Sequence, residues 1–293
     1  MDSITLNAPA KVNLFLKVLG RRPDGYHTIE TLFEKIALFD RIRLRKMPAG
    51  ISVTSDESRL PADEGNLAYR AARLLKDTYK SLAGVKIVIE KSIPIGAGLG
   101  GGSSDAASVL MGMNALYEMG LSVVKLKRLA GRIGADVPFF VSEDIWAVGR
   151  ERGDRIEGIK TSMRLWHILI VPPFSVLSKD AYEWIDTRDP GAERPEINNT
   201  LACVKRNDAG ALGKNLYNDL EDISLEKMDL LKGLKEMLIK YGARGALITG
   251  SGSCLFGITE DKEEVVRLRE RMEDSVGGDR RKWKFFITST LHD

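Results

Sequence analysis

The segment IPIGAGLGGGSSDAASVL, residues 93–110, sets glycines at 96, 98, 100, 101 and 102 directly before a run with helical spacing. Glycine lacks the Cβ that blocks close approach and reaches positive φ, so successive backbone N–H groups here can converge on one anion. A helix starting at the end of the run, with Ser103 or Ser104 as its N-cap, adds unpaired amides and a positive dipole end. Phosphate suits such a cradle; a tightly packed structural turn is the other reading. Glycines 96, 98 and 101 also match the dinucleotide fingerprint G-x-G-x-x-G. That fingerprint requires a second strand ending in an acid about 20 residues on, and the region carries a second helical pattern instead. A Walker loop requires a terminal lysine, and none falls between Lys91 and Lys125.

Upstream, VKIVIEKSIPIG reads as a strand entering the glycines, and GNLAYRAARLLKDTYKSLAG has helical spacing through Leu67, Ala71, Leu74 and Leu75. In KVNLFLKVLG, Val12, Leu14, Leu16 and Val18 alternate with Lys11, Asn13, Phe15 and Lys17, the period of a strand that buries one face. Lys11 and Asn13 share the other face. FEKIALFDRIRLRKM reads as one or two further strands. Downstream, a helix follows from Ser122, and Asp136 stands where Pro138 ends helical structure. Composition turns mixed around VGRERGDRIEGIKTSMR, which places a domain boundary near residue 160, giving domains 1–160 and 161–293. The second part reads as a strand at LWHILIVPP, helices near 179–187 and 226–241, strand–loop–strand at ARGALITGSGSCLFGI, a charged helix and a last strand. The fold class is α+β in two domains.

A chain of 293 residues with 43% hydrophobic and 29% charged residues buries a sizeable core and is not of disordered type. A net charge of only +3 gives no basis for nucleic-acid binding. The densest basic run, DRRKWKF at 279–285, reads as a strand with a solvated face. Two cysteines, Cys203 and Cys254, make no disulfide framework and no zinc spacing. The N-terminal MDSITLNAPA has no apolar core, and LWHILIVPPF is too short to span a bilayer. A cytoplasmic protein with no membrane partner is expected, as monomer or homodimer.

PIGAGLGGGSSDAA, residues 94–107, resembles the phosphate loop of the GHMP kinases, which bind ATP without a Walker motif. PAKVNLFLKVLGRRPDGYH, GADVPFF, NDLE at 218–221 and TGSGSCLFG extend the resemblance from residue 8 to residue 257, in the family's order. Together they are similar to the branch whose substrate carries a cytidine diphosphate group. The resemblance implies an N-terminal ribosomal-protein-S5-domain-2-like ATP-binding domain and a C-terminal ferredoxin-like α/β-plait domain. The reaction it implies is ATP-dependent phosphorylation of the 2-hydroxyl of 4-diphosphocytidyl-2-C-methyl-D-erythritol, in the non-mevalonate route to isoprenoid precursors.

An alcohol is a poor nucleophile at neutral pH, so the site needs a carboxylate to accept its proton and a cation beside it. By resemblance Asp136 is that base and Lys11 its partner. Pro94, Ile95, Gly96, Ala97, Gly98, Leu99, Gly100, Gly101, Gly102, Ser103 and Ser104 form the ATP loop, and Asn66 lies on the adenine side. A flat base calls for stacking and edge hydrogen bonds; the resemblance gives these to Tyr26, His27 and Asn13, with Tyr182 as a second ring. Gly250 to Ser253 line the pocket. ATP with Mg²⁺ is implied; the metal's protein ligand is unknown, Ser104 being one candidate. The sequence departs from the family after VPFF, where Ser142, Glu143 and Asp144 replace a glycine pair. Alternatives are a GHMP kinase acting on homoserine or mevalonate, or a non-catalytic nucleotide-binding protein.

Overall fold

The alternation beginning at Ser3 becomes strand β1, Ser3–Arg21, which turns through Pro23–Gly25 into β2, His27–Met47. A computed structural model describes residues 1–186, 194–221, 229–276 and 282–292. β1 and β2 pair antiparallel along their whole length, from Ser3↔Arg45 to Arg21↔His27. Register shifts at Pro9/Ala10, Asn13/Phe15 and Val18/Gly20 act as bulges that bend strands too long to stay flat. FEKIALFDRIRLRKM therefore lies within one bent strand.

Around this hairpin a seven-stranded sheet forms in the order β3-β4-β2-β1-β8, with β5 also pairing with β2 and β6 with β5. Its members are β3 (Ile51–Ser55), β4 (Gly84–Glu90), β5 (Trp146–Arg150), β6 (Arg155–Ile159) and the short β8 (Tyr217–Asn218). The mixed-composition stretch before residue 160 is thus a β5–β6 hairpin, its polar residues paired as strands. On one face lie α1 (Leu67–Thr78), α2 (Gly101–Leu116), α3 (Val123–Ala130) and α4 (Val137–Val141). Ala68, Ala71, Leu75, Leu110 and Met113 bury against Ile42, Leu44, Ile87 and Ile89. Asn66 caps α1 and Ser122 caps α3 with their side-chain oxygens.

A second sheet runs β11-β7-β10-β9, all antiparallel, from β7 (Trp166–Val171), β9 (Gly245–Ile248), β10 (Leu255–Thr259) and β11 (Lys284–Ser289). Helix α8 (Asp229–Lys240) links β7 to β9, and α9 (Lys262–Ser275) links β10 to β11. This β-α-β-β-α-β order is that of a ferredoxin-like plait. Three helices, α5 (Ser178–Ile185), α6 (Ile197–Lys205) and α7 (Ala209–Lys214), come between β7 and α8, and the last two carry no signal that the sequence reading used. The predicted helices at 179–187 and 226–241, and the run 279–285, extend partly outside the described residues.

The expected solvated face of β1 is not solvated. Lys11 and Asn13 are buried. The glycine loop and the Thr249–Gly250 turn of the second half close over it, next to Lys11 and Asn13, while Val12 and Leu14 on the opposite face pack with Leu169, Val171 and Phe256.

Candidate active site

Three glycines of the 93–110 segment take left-handed backbone, Gly96, Gly98 and Gly100, with φ of 69°, 78° and 72°. The loop is held from two sides. Lys11 N–H donates to Leu99 O at 3.0 Å, and Cys254 N–H to Ala97 O at 3.2 Å. A Cβ at Gly98 would lie 2.1 Å from Thr249 O, and one at Gly100 would lie 2.8 Å from Phe140 Cζ. Neither Ser103 nor Ser104 is the N-cap. Helix α2 starts earlier, at Gly101, behind the left-handed Gly100. Ser104 N–H makes the first helical bond, to Gly100 O at 2.9 Å. The amides of Gly101, Gly102 and Ser103 are therefore the orphan donors of the helix, and they border a cleft of about 850 Å³.

Lys11 and Asp136 meet in that cleft, Nζ to Oδ2 at 3.8 Å. They arrive from β1 and from the residue before α4; Pro138 sits in the first turn of that helix, where a missing N–H costs nothing. Burial pulls the Lys11 amine below its ordinary value of 10.5, with the Asp136 carboxylate opposing. Lys11 Nζ also donates to Asn13 Oδ1. Asn13 is fixed in turn: its N–H donates to Thr249 Oγ1 at 3.0 Å and its Nδ2 to Thr31 Oγ1 at 2.8 Å. The NDLE run braces the same turn, Asn218 Nδ2 donating to Ile248 O at 2.7 Å and Gly250 O at 2.8 Å. Burial pushes the Cys254 thiol up to about 12, so it stays neutral.

At the other end of the cleft stand Tyr26, His27 and Tyr182. Asp24 Oδ1 accepts from Tyr26 N–H at 3.1 Å, closing the Pro23–Gly25 turn. Tyr26 is half exposed with the Arg152 guanidinium 5.1 Å from its ring centre, and Asp154 holds that arginine. Tyr182 lies flat on His27 at 4.9 Å, too close for any ring between them. Burial, and then Asp136, pushes the Tyr182 phenol up. Asn66 borders the cleft while both ends of its amide serve the fold, capping Ala68 N–H and donating to Pro61 O, each at 2.9 Å.

Of the residues singled out from sequence, the cleft gathers all of the loop from Pro94 to Ser103, together with Lys11, Asn13, Tyr26, His27, Asn66, Asp136 and Tyr182. Ser104 is not on its wall; its hydroxyl is fully buried behind the loop and has no hydrogen-bond partner among the described residues. Gly250, Ser251 and Gly252 border the cleft; Ser253 instead donates to Phe174 O at 2.5 Å. Ser142, Glu143 and Asp144 lie away from it, with Ser142 donating to Asp144 Oδ2 at 2.5 Å and its carbonyl accepting from Lys35. Sequence reasoning passed over a buried cluster at the loop: Lys91 Nζ donates to Asp40 and, at 3.0 Å, to Asp105 Oδ2. Burial lowers the Lys91 ammonium, but the two carboxylates outweigh it and the net direction is up. Among the described residues no three His, Cys, Asp or Glu side chains stand together as a metal site.

Residues 66–144 match the model of the GHMP kinases N terminal domain, and residues 200–278 that of the GHMP kinases C terminal domain. A 4-diphosphocytidyl-2-C-methyl-D-erythritol kinase of Moorella thermoacetica is 39% identical over 278 residues, 94% of this chain and 96% of that protein. One from Syntrophotalea carbinolica is 38% identical over 291 residues, 98% of each chain. A crystal structure of 4-(cytidine 5'-diphospho)-2C-methyl-D-erythritol kinase superposes with a TM-score of 0.80 at 34% identity, covering 99% of this chain and 100% of that one. A homoserine kinase from Cytophaga hutchinsonii, at 21% identity and a TM-score of 0.76 over 99% of this chain and 95% of its own, shares the fold. The chain belongs to the GHMP kinase family and, within it, to the 4-diphosphocytidyl-2-C-methyl-D-erythritol kinases.

Proposed function

We propose that this protein transfers the γ-phosphoryl group of ATP to the 2-hydroxyl of 4-diphosphocytidyl-2-C-methyl-D-erythritol, in the non-mevalonate route to isoprenoid precursors. The observation that carries the residue roles is the Lys11–Asp136 pair, 3.8 Å apart in the cleft that also holds the orphan amides of α2. Asp136 Oδ2 takes the proton of the attacking hydroxyl. Lys11, steered by Asn13, sets its amine beside that carboxylate and the acceptor oxygen. The amides of Gly101, Gly102 and Ser103 hold phosphate oxygens, a role that fits a loop in which Cβ atoms at 98 and 100 would collide with their neighbours. Bound ATP with Mg²⁺ supplies the activated phosphoryl group and the cation that neutralises it. Such an ion keeps much of its shell as phosphate oxygens and water. Tyr26, His27 and Tyr182 take the cytosine, and Asn66 the adenine side.

The same proposal places the protein in the cytoplasm and divides it near residue 160. No described helix is long and apolar enough to cross a membrane, and the sheet changes between Ile159 and Trp166. ATP consumption measured with the cytidine substrate, homoserine and mevalonate tests the reaction: turnover is expected with the first alone, and its failure there rejects the reading. In Asp136→Asn, kcat should fall about 10³-fold while substrate binding is kept; near-normal turnover removes Asp136 from the role of base.

A further inference from the structure

Tyr182 and Asp186 stand one helical turn apart at the end of α5, and both engage His27. The tyrosine ring covers the imidazole face at 4.9 Å and 19°. Asp186 Oδ1 lies 2.7 Å from His27 Nε2, while Arg21 Nη1, 3.4 Å from Asp186 Oδ2, steadies the carboxylate from its other side. The ring is thus fixed both in plane and in orientation.

An ionised carboxylate can only accept, so the proton of this contact belongs to Nε2. In the neutral imidazole the lone pair then sits on Nδ1, which becomes an acceptor. Among the described residues Nδ1 has no partner, and His27 borders the cleft. We propose that Asp186 is a positioning residue for base recognition: it holds His27 with Nδ1 as acceptor, so the cleft selects a pyrimidine carrying an amine, not a carbonyl, at ring position 4. The proposal rests on the reading of His27 as the residue that faces the base. A uracil in the same pose sets a carbonyl lone pair against the Nδ1 lone pair, and a buried acceptor left unpaired is what makes such discrimination steep.

The test compares the full-length protein with Asp186→Asn, Asp186→Ala and His27→Phe, using the cytidine diphosphate substrate and its uridine counterpart. With the Arg21 guanidinium claiming its carbonyl oxygen, an asparagine amide turns its NH2 toward Nε2, which moves the ring proton to Nδ1. Asp186→Asn is expected to raise KM for the cytidine substrate about tenfold with kcat kept, and to shrink the cytidine-over-uridine preference by at least as much. Asp186→Ala should raise KM similarly, with a smaller change in preference. The imidazole ¹⁵N spectrum of His27, assigned by its loss in His27→Phe, should show Nε2–H in the wild type and Nδ1–H in Asp186→Asn, a readout that a merely structural role would leave unmoved. If His27→Phe leaves KM for the cytidine substrate unchanged, the base does not lie at this wall and the underlying reading fails. If His27→Phe raises KM while Asp186→Asn alters neither preference nor tautomer, the positioning role of Asp186 is overturned and the underlying reading stands.

Discussion

Asp105, one turn into α2, shares Lys91 with Asp40, and burial beside that second carboxylate pushes its acid up to about 7 although the ammonium opposes. A carboxyl with a raised folded-state value binds its proton more tightly in the folded chain. Its contribution to stability is whole below its ordinary 3.8 and is lost as the pH rises to about 7. Asp105→Asn should therefore gain on the wild type by roughly 4 kcal/mol between about pH 4 and pH 8. Urea unfolding of both proteins at the two pH values checks this, and a pH-independent difference refutes it. Residues of this kind leave no trace in a linear reading, because Lys91 and Asp40 are 51 positions apart and either alone looks like a surface charge. Lys11, Asp136 and His27 are legible for a different reason: each sits in a short motif of the family. The burial that shifts the Lys11 amine downward is not part of that motif.

At the scale of elements, the glycine loop shows which positions need a missing side chain. Gly98 combines a φ of 78° with a backbone carbonyl 2.1 Å from where its Cβ would be, and a carbonyl held in a paired turn cannot step aside. Gly98→Ala should cost about 2 kcal/mol or more and weaken nucleotide binding. Gly102, with ordinary φ and its nearest neighbour at 3.8 Å, is the control: Gly102→Ala should stay within about 0.5 kcal/mol of the wild type or gain slightly. Thermal unfolding with and without ATP compares the two. The strand period, the glycine run and the capping residues Asn66 and Ser122 can be read directly, since each acts on its immediate neighbours. The start of α2 cannot. A serine looks like the better cap, and only the left-handed Gly100 under Phe140 moves the helix start forward. The β5–β6 hairpin hides behind its charges because Arg150, Arg155 and Glu157 stand at paired strand positions near its turn.

Across the whole molecule, the two sheets are joined by polar groups as well as by packing. Glu34 on β2 and His167 on β7 are completely buried, Nε2 to Oε1 at 3.1 Å, and Thr290 donates to the same oxygen at 2.6 Å. Glu34→Ala removes one acceptor from two buried donors and should destabilise the protein by about 3 kcal/mol. Denaturant unfolding followed by signals from both halves tests it; a loss below about 1 kcal/mol would mean that apolar packing alone holds the sheets together. Asn218, reaching from β8 to the Ile248–Gly250 turn, makes a second such link beside the cleft.

By itself the sequence determined the α+β class, the glycine loop before α2 and, through motifs in order from residue 8 to residue 257, the family. These rest on local steric rules and short patterns that need no partner from elsewhere in the chain. Tertiary structure alone decided that the polar face of β1 is buried, that Ser104 lies behind the loop instead of on the cleft wall, and that Asp186 meets His27 across 159 residues. The first depends on the glycine loop and the Thr249–Gly250 turn closing over β1, the second on where α2 begins, and the third on where α5 packs. Burial and charge pairing between distant segments are properties of the packed molecule, set when its long-range contacts form.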